Sequence, residues 1–179
     1  MTAGGHAGWY SRGYLPHCDS SAAVQHVAFG QADALPPGIA FESDDHLDAG
    51  FGSCLLRVDD IAPIVENALL HSDGERYRLL AWCVMPNHVH VVFEQLSGAR
   101  LSAVVQSWKS VTAHRINARL GRRGRFWRRE YFDRFMRDDG HLARTIAYVE
   151  GNPVKAGLVK APEDWLFSSA SRHRKTGCG

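Results

Sequence analysis

The chain has 179 residues, 45% of them apolar, which is enough for one domain with a sizeable core. It contains no run of 18 or more apolar residues, so the sequence predicts no membrane span. Its first residues lack the basic and apolar regions of a secretory signal. The 4 cysteines are scattered and form no Cys-x-x-Cys pair, so we expect free thiols in a reducing cytoplasm rather than a zinc site or a disulfide framework.

Charge is divided unevenly along the chain. Residues 1–76 hold 3 Lys and Arg against 11 Asp and Glu, whereas residues 77–179 hold 18 against 8. The formal net charge of +2 therefore combines an acidic first part with a basic second part. Such an asymmetry predicts a polyanionic partner for the second part.

The first part of the chain contains one predicted strand and one predicted helix. Residues 1–22 are rich in Gly, Ser and His and are interpreted as an N-terminal arm, and residues 23–29 as a short strand. Residues 31–50 are a predicted loop with an acidic patch, and a helical turn within this loop is the alternative. The members of this patch are Glu42, Asp44, Asp45 and Asp48. A start signal at Asp59-Asp60 and apolar residues at helical spacing then predict a helix that ends near residue 71.

The next two predicted strands are joined by the turn signal Pro86-Asn87. Residues 77–84 are mostly apolar, and residues 88–94 alternate polar and apolar. With a side-chain period of two, His88 and His90 point to one face of the strand and the intervening valines to the other. Two imidazoles side by side on a strand are a ready pair of metal ligands. The alternative is two surface histidines on an exposed sheet face.

Two further helices and a possible strand follow. Apolar spacing predicts a helix over residues 101–120, with Lys109 on its polar face, and another over residues 141–151 that Asn152-Pro153 disturbs. Residues 125–136 alternate loosely and are a candidate strand between these helices.

The predicted order is strand, helix, strand, strand, helix, strand and one extra helix. This is the order of a ferredoxin-like split β-α-β fold of the α+β class, with a central antiparallel sheet and the helices mainly on one face. The histidine strand is central in this arrangement, and the extra C-terminal helix carries Tyr148. We divide the chain into an N-terminal arm (1–22), one main domain (23–172) and a flexible tail (173–179).

Residues 115–137 are the most basic part of the chain. They hold nine arginines and no lysine against Glu130 and Asp133, and five aromatic residues are interleaved with the arginines. Arginine forks suit phosphates and aromatic rings stack on bases, so this segment predicts binding of single-stranded nucleic acid. The alternative is a solvated charged face.

A catalytic metal needs more protein ligands than two histidines. In the last helix, Tyr148 and Asn152 are four residues apart and can face the same way. The Asn152 amide oxygen suits a hard cation such as Mg²⁺ or Mn²⁺ mixed with imidazole, and the same face puts the Tyr148 hydroxyl beside that metal. The alternative for Tyr148 is an ordinary half-buried tyrosine.

Four segments of the sequence, in order, resemble the REP-associated tyrosine transposases, which belong with the single-tyrosine, insertion-sequence-like transposases of the HUH endonuclease superfamily. These segments are residues 77–90, which end in His88-Val89-His90, residues 108–113, residues 126–134, and residues 148–159, which contain Tyr148 and Asn152-Pro153. Residues 13–17 and 165–170 resemble the opening and closing segments of the family. The resemblance covers the chain from about residue 9 to residue 172.

The resemblance implies a ferredoxin-like enzyme that acts on single-stranded DNA near small hairpins of bacterial chromosomes, with residues 23–172 as its catalytic domain. It implies that His88 and His90 bind Mg²⁺ or Mn²⁺ with Asn152 as third ligand, and that Tyr148 is the nucleophile that forms a 5′-phosphotyrosine bond. The residues implied to hold DNA are Arg119, Arg122, Arg123, Arg125, Arg128, Arg129, Arg134 and Trp127. The resemblance also implies a monomer or homodimer, no membrane, and a cytoplasmic, nucleoid-associated location.

Two positions depart from the family pattern. Gly30-Gln31 follows Phe29, where family members often have an arginine, and Asn152 stands where related insertion-sequence transposases commonly have glutamine. Two other functions stay open from the sequence. One is a domesticated protein that binds hairpin DNA without mobilising it. The other is a metal-dependent hydrolase, although barrel hydrolases with a His-x-His strand need roughly 200 residues or more.

Overall fold

The computed structural model describes residues 8–11, 16–19, 23–39, 45–96 and 98–176. Glu42 and Asp44 of the acidic patch, with parts of the predicted arm and tail, lie outside the described residues. Two short strands, β1 (Gly8–Ser11) and β2 (Pro16–Asp19), pair in antiparallel fashion within the predicted arm. None of the described helices is long and apolar enough to cross a membrane.

Four antiparallel strands form the main sheet. They are β3 (Val24–Gly30), β4 (Tyr77–Val84), β5 (His88–Gln95) and β6 (Phe132–Phe135). Their order in the sheet is β4-β5-β3-β6, so the histidine strand β5 is central, as predicted. The helices are α1 (Asp45–Asp48) and α2 (Ala62–Leu70) between β3 and β4, α3 (Leu101–Arg119) between β5 and β6, and then α4 (Asp139–Lys155) and α5 (Ser169–Thr176). The α+β class and the split β-α-β order are confirmed.

The alternation of side chains along the central strands gives the sheet two different faces. Phe29 of β3 and Val89 and Val91 of β5 are buried on one face, where they pack with apolar residues of α2 and α3. His88 and His90 lie on the other face, which α4 covers. Both imidazoles are therefore buried, and the alternative of surface histidines on an exposed face is wrong.

Helix α4 extends beyond its predicted bounds at both ends. It begins at Asp139, after an N-cap formed by the Asp138 side chain, and it continues through Asn152-Pro153 to Lys155. The prediction that Asn152-Pro153 disturbs the helix is wrong. The proline removes only one backbone donor near the helix end. Asn152 and Pro153 are both buried by tertiary packing, and the Asn152 carbonyl still accepts a hydrogen bond of 2.9 Å from the backbone N–H of Ala156.

The segment that was predicted as a strand over residues 125–136 is shorter in the structure. Only residues 132–135 form a strand, β6, which pairs with β3, and the earlier part of the segment is joined to the end of β3 by an isolated antiparallel bridge between Trp127 and Gln31. The rings of Phe126 and Trp127 are buried in the core. Lys109 is also not on an exposed face. It is only 8% exposed, and its Nζ donates a hydrogen bond of 2.9 Å to the carbonyl of Arg129, which ties α3 to the arginine-rich segment.

Candidate active site

Three side chains converge on one point above the histidine face of the sheet. The Nε2 atoms of His88 and His90 lie 2.9 Å apart. Oδ1 of Asp48 lies 3.2 Å from the first and 3.3 Å from the second. Asp48 ends α1, 42 residues before His90, and was not among the residues predicted for the site. Its membership of the acidic patch was the only signal in the sequence, because no periodicity relates α1 to the histidine strand.

Hydrogen bonds on the far side of each imidazole orient its Nε2 atom towards this point. The amide nitrogen of Asn87 donates to the carbonyls of Leu47, at 3.3 Å, and Phe51, at 2.9 Å, so its oxygen faces His88. His88 Nδ1–H donates to that oxygen at 2.6 Å, which leaves a lone pair on Nε2. The turn that precedes the histidine strand thus fixes both one imidazole and the segment that carries Asp48.

A third histidine, His26 of β3, plays the corresponding part for His90. Its Nε2 lies 3.0 Å from His90 Nδ1, and the two rings are stacked with centroids 5.2 Å apart. Burial and then the nearby charge of His90 hold the pKa of His26 well below its usual value, so His26 is neutral and its Nε2 can accept a hydrogen bond from His90 Nδ1–H. His26 was not among the residues predicted for the site, because a single histidine in a short apolar strand is no signal of a ligand.

The charge states suit a cation at the point of convergence. Burial lowers the pKa of His88 to about 4, so its imidazole is neutral at pH 7. Burial alone would raise the pKa of Asp48, but the imidazoles of His88 and His90 outweigh it and hold that pKa well below its usual range. Two nitrogen lone pairs and a carboxylate oxygen therefore face one another.

The spacing of these atoms fits octahedral coordination. Neighbouring ligands of an ion with metal–ligand distances of about 2.1 Å are separated by about 3.0 Å. The three observed separations, 2.9, 3.2 and 3.3 Å, are close to that edge length. The donor set, two imidazoles and one carboxylate, is one that takes Mn²⁺ or a similar divalent ion with open positions.

Asn152, the predicted third ligand, reaches the same cluster from α4. Its Nδ2 lies 3.1 Å from His90 Nε2. Its Oδ1 is buried, and none of the described residues gives that oxygen a hydrogen bond. A half-turn of the amide would bring the oxygen to the nitrogen's position, so the donor chemistry of Asn152 also fits a hard cation.

Tyr148 lies on the same side of α4, one helical turn before Asn152, as the spacing predicted. Its hydroxyl donates a hydrogen bond of 2.8 Å to Asp48 Oδ2, and its ring contacts His90 edge-on with centroids 5.6 Å apart. Lys155, two turns further along this face, donates to the same oxygen at 3.1 Å, and its Nζ lies 5.3 Å from the centre of the Tyr148 ring. The candidate nucleophile is therefore one carboxylate away from the two histidines.

The residues predicted to hold DNA differ in how far their side chains are exposed. Those with exposed side chains are Arg119, Arg122, Arg123, Arg125, Arg129 and Arg134, whereas Arg128 is half-buried. Arg119 pairs with Asp60. Arg134 is opposite His26 in the β3–β6 register, so it lies on the histidine face.

Trp127 does not lie at the surface. It is 4% exposed, its indole N–H donates a hydrogen bond of 2.8 Å to Thr112 Oγ1, and its ring meets that of Phe29 edge-on at 4.9 Å. The ring is part of the core, so its position gives no support to the prediction that it stacks on unpaired bases.

Sequence comparison identifies related proteins. A family profile described as "Transposase IS200 like" matches residues 65–152, which include β5 and α4 as far as Asn152. A curated Haemophilus influenzae protein whose name contains the words REP-associated tyrosine transposase is 27% identical over 109 residues, 55% of this chain and 62% of that protein. The REP-associated tyrosine transposase of Escherichia coli K12 is 26% identical over 110 residues, 61% of this chain and 64% of that protein. The matches thus span slightly less than two thirds of these relatives.

Comparison of structures extends the likeness over nearly the whole chain. A solved structure described as the REP-associated tyrosine transposase bound to a REP hairpin has a TM-score of 0.63 with this chain at 18% identity, and covers 95% of this chain and 87% of its own. The two proteins share a fold. The profile match and the two curated relatives support the family suggested by the sequence motifs: the chain is similar to the IS200-like transposases and to their REP-associated tyrosine members.

Proposed function

We propose that this chain is a metal-dependent transposase that cleaves and rejoins single-stranded DNA at REP-like hairpins through a 5′-phosphotyrosine bond. The observation that carries the proposal is the position of the Tyr148 hydroxyl, 2.8 Å from a carboxylate whose other oxygen lies beside two histidine Nε2 atoms. The names of the two curated relatives support DNA of the REP type as the substrate.

His88, His90 and Asn152 would hold Mg²⁺ or Mn²⁺ at this site. When bound, such an ion polarises the scissile phosphate and neutralises the charge that develops during the reaction. The chain's own residues supply the nucleophile and a further positive charge. Lys155 adds a positive charge beside the Tyr148 ring, where the phosphate has to lie for attack.

The reaction forms one bond and breaks another. Tyr148 Oη attacks the phosphorus and its proton passes to water, while the bond from phosphorus to the 3′ oxygen breaks. That oxygen takes up a proton from water and leaves as a hydroxyl, so no net proton is gained or lost. The downstream strand stays attached to Tyr148 through its 5′ phosphate. Because a phenol has an unperturbed pKa of about 10, it is a fair leaving group when a 3′ hydroxyl reverses the step, so rejoining needs no ATP.

We infer that a single strand reaches this site past the exposed arginines. The turn that holds Arg122, Arg123 and Arg125 leads into Phe126, whose carbonyl accepts a hydrogen bond of 2.8 Å from Ala32 at the end of the sheet where β5 begins. Arg134 lies on the histidine face itself. Backbone phosphates held along this route would lead a single strand towards Tyr148.

One chain carries every residue invoked here. Tyr148 lies beside the histidines of its own chain, which supports a competent monomer rather than an exchange of tyrosines between subunits. An enzyme of this kind would act on chromosomal DNA, in the cytoplasm at the nucleoid.

The test is a cleavage assay that traps the protein–DNA bond. Single-stranded hairpin oligonucleotides labelled at the 3′ end are incubated with protein and Mg²⁺ or Mn²⁺, and the products are resolved on a denaturing protein gel. We expect a labelled adduct with the unaltered protein and none with Tyr148→Phe. Tyr131→Phe is the matched control, because Tyr131 packs in the core on the other face of the sheet, and it should keep the adduct.

The other outcomes point to other functions. If the DNA is cleaved without forming an adduct, and if Tyr148→Phe still cleaves it, the protein is a metal-dependent hydrolase. Tight hairpin binding with no adduct from any hairpin in the pool would identify a domesticated DNA-binding protein. Either result would overturn the proposal.

A further inference from the structure

We propose that Asp48 is a ligand of the cation held by His88 and His90 and that the same carboxylate holds Tyr148 beside that cation. The inference deepens the function proposed above and rests on it for the presence of the cation. It gives α1 a direct role in the site, although α1 lies outside the segment from residue 65 to residue 152 that matches the family profile.

The two oxygens of Asp48 face different partners. Oδ1 lies 3.2 and 3.3 Å from the Nε2 atoms of the two histidines, at the separation expected of ligands on one face of an octahedron. Oδ2 accepts hydrogen bonds of 2.8 Å from the Tyr148 hydroxyl and 3.1 Å from Lys155 Nζ. A single carboxylate therefore connects the candidate metal ligands to the candidate nucleophile.

Asp48 is held in this place by packing, and is not an acidic side chain of the surface. Its side chain is 9% exposed. The preceding residue, Leu47, is fully buried in a cluster with Ala28 and Phe132, two residues of the main sheet. Asn87 donates to the backbone carbonyl of Leu47 on one side of Asp48 and to that of Phe51 on the other. The turn before the histidine strand thus anchors the segment from both sides.

The charge of this arrangement suits the substrate. Two neutral imidazoles and one carboxylate around a divalent cation leave a net charge of about +1, which attracts a phosphodiester and still holds the ion more firmly than neutral ligands do. Asn152 alone, as a neutral amide, would leave the ion without any anionic protein ligand.

The experiment measures Mn²⁺ binding to the protein without DNA. Free Mn²⁺ is followed by electron paramagnetic resonance during titration of unaltered protein, Asp48→Asn and Asp48→Ala. Asp48→Ala should weaken Mn²⁺ affinity by roughly tenfold to a hundredfold, and Asp48→Asn by less, because its amide oxygen remains. Asp45→Asn, an exposed acid three residues earlier in the same helix, is the matched control and should bind Mn²⁺ normally. Circular dichroism in EDTA checks that each variant is folded.

His88→Ala separates this inference from the proposed function. Loss of Mn²⁺ binding in both His88→Ala and Asp48→Ala supports the inference. If His88→Ala loses Mn²⁺ binding while Asp48→Ala binds Mn²⁺ as tightly as the unaltered protein or more tightly, the histidines bind the cation and the proposed role of Asp48 is wrong. Unchanged binding in His88→Ala would show that the site is not there, and both proposals would then fail.

A second measurement tests the link to Tyr148. In protein labelled with fluorotyrosine, the ¹⁹F resonance that Tyr148→Phe removes belongs to Tyr148. We expect Asp48→Asn to shift this resonance and Asp45→Asn to leave it in place. A Tyr148 resonance that does not respond to Asp48→Asn would contradict the positioning role.

Discussion

Gly30, at the end of β3, has no space for a side chain. A Cβ built on it would lie 2.7 Å from Leu47 Cδ2 and 3.2 Å from the Ala34 Cβ. Leu47 is fully buried and precedes Asp48 in the chain, so any displacement of its side chain is passed on to the carboxylate. The absence of a side chain at Gly30 is what lets Leu47 pack against the sheet.

We predict that Gly30→Ala lowers both stability and metal affinity. Overpacking of this kind costs about 1–3 kcal/mol of unfolding free energy, and the shift of Leu47 should weaken Mn²⁺ binding severalfold. Urea unfolding and the Mn²⁺ titration measure the two effects. Gly151→Ala is the control for stability, since a Cβ at that position in α4 meets nothing within 4 Å, and it should be neutral or stabilising. Reduced stability with normal Mn²⁺ affinity would show that Leu47 does not position Asp48.

Single residues of the site differ in how far the sequence predicts them. The common face of His88 and His90 follows from the period of a strand, and that of Tyr148 and Asn152 from the period of a helix. Asp48 has no such relation to any of them, because only the tertiary packing of α1 brings it to the histidines. Trp127 shows the opposite error, since a composition rich in arginine and aromatic residues does not reveal which rings are turned into the core.

At the scale of elements, the strongly periodic segments were predicted well. The predicted strands at 77–84 and 88–94 and the helix at 101–120 agree with β4, β5 and α3 to within one residue. The errors arose where tertiary contacts override local preference. Packing against the sheet carries α4 past Pro153, and only residues 132–135 of the segment predicted as a strand over residues 125–136 form one.

The contact between α3 and the arginine-rich segment depends on a buried amine. Burial lowers the pKa of Lys109 from 10.5 to about 8, with Glu130 acting against this shift and Arg125 adding to it. Between these two pH values the unfolded chain keeps a proton that the folded chain has lost, so unfolding takes up a proton. The stability contributed by this group therefore rises with pH across that window, by up to about 3 kcal/mol in all.

We predict that Lys109→Met removes this rise. The unfolding free energy of unaltered protein, measured in urea from pH 7 to pH 10.5, should increase relative to that of Lys109→Met as pH passes 8. Because other groups titrate in the same range, the difference between the two proteins is the quantity to compare. Lys160→Met, at an exposed lysine, should follow the unaltered protein throughout. A constant difference between unaltered protein and Lys109→Met would contradict the lowered pKa.

On the scale of the whole molecule, the acidic and basic parts of the chain contribute different residues to the site and to the surface. The acidic first part supplies Asp48 to the interior of the site, and the basic second part supplies the two histidines, Tyr148 and most of the exposed arginines. Charge counts predicted a polyanionic partner, but they could not show that one aspartate of the acidic part lies among the histidines of the basic part.

We predict that Arg128→Gln with Arg129→Gln weakens hairpin binding and reduces its salt dependence. For a single strand, each phosphate that an arginine no longer neutralises should reduce the slope of log affinity against log salt by about 0.7, so the pair should reduce it by about 1.4. Fluorescence anisotropy with a labelled hairpin between roughly 50 and 200 mM salt gives the slope. Arg76→Gln with Arg78→Gln removes the same charge outside residues 115–137 and is the control. An equal slope in both double variants would show that the arginine-rich segment is not the DNA surface.

Helix α4 places Tyr148, Asn152 and Lys155 on successive turns of one uninterrupted rod. A strand esterified to Tyr148 would be carried by the same helix as the Asn152 amide, which contacts His90, and the Lys155 amine, which contacts Asp48. Rotation of α4 about its axis would withdraw all three together, so the covalent link could not swing away while the remaining contacts stay closed. Exchange of one DNA end for another would then depend on the orientation of a single helix. Distance measurements between α4 and β5 can follow that orientation.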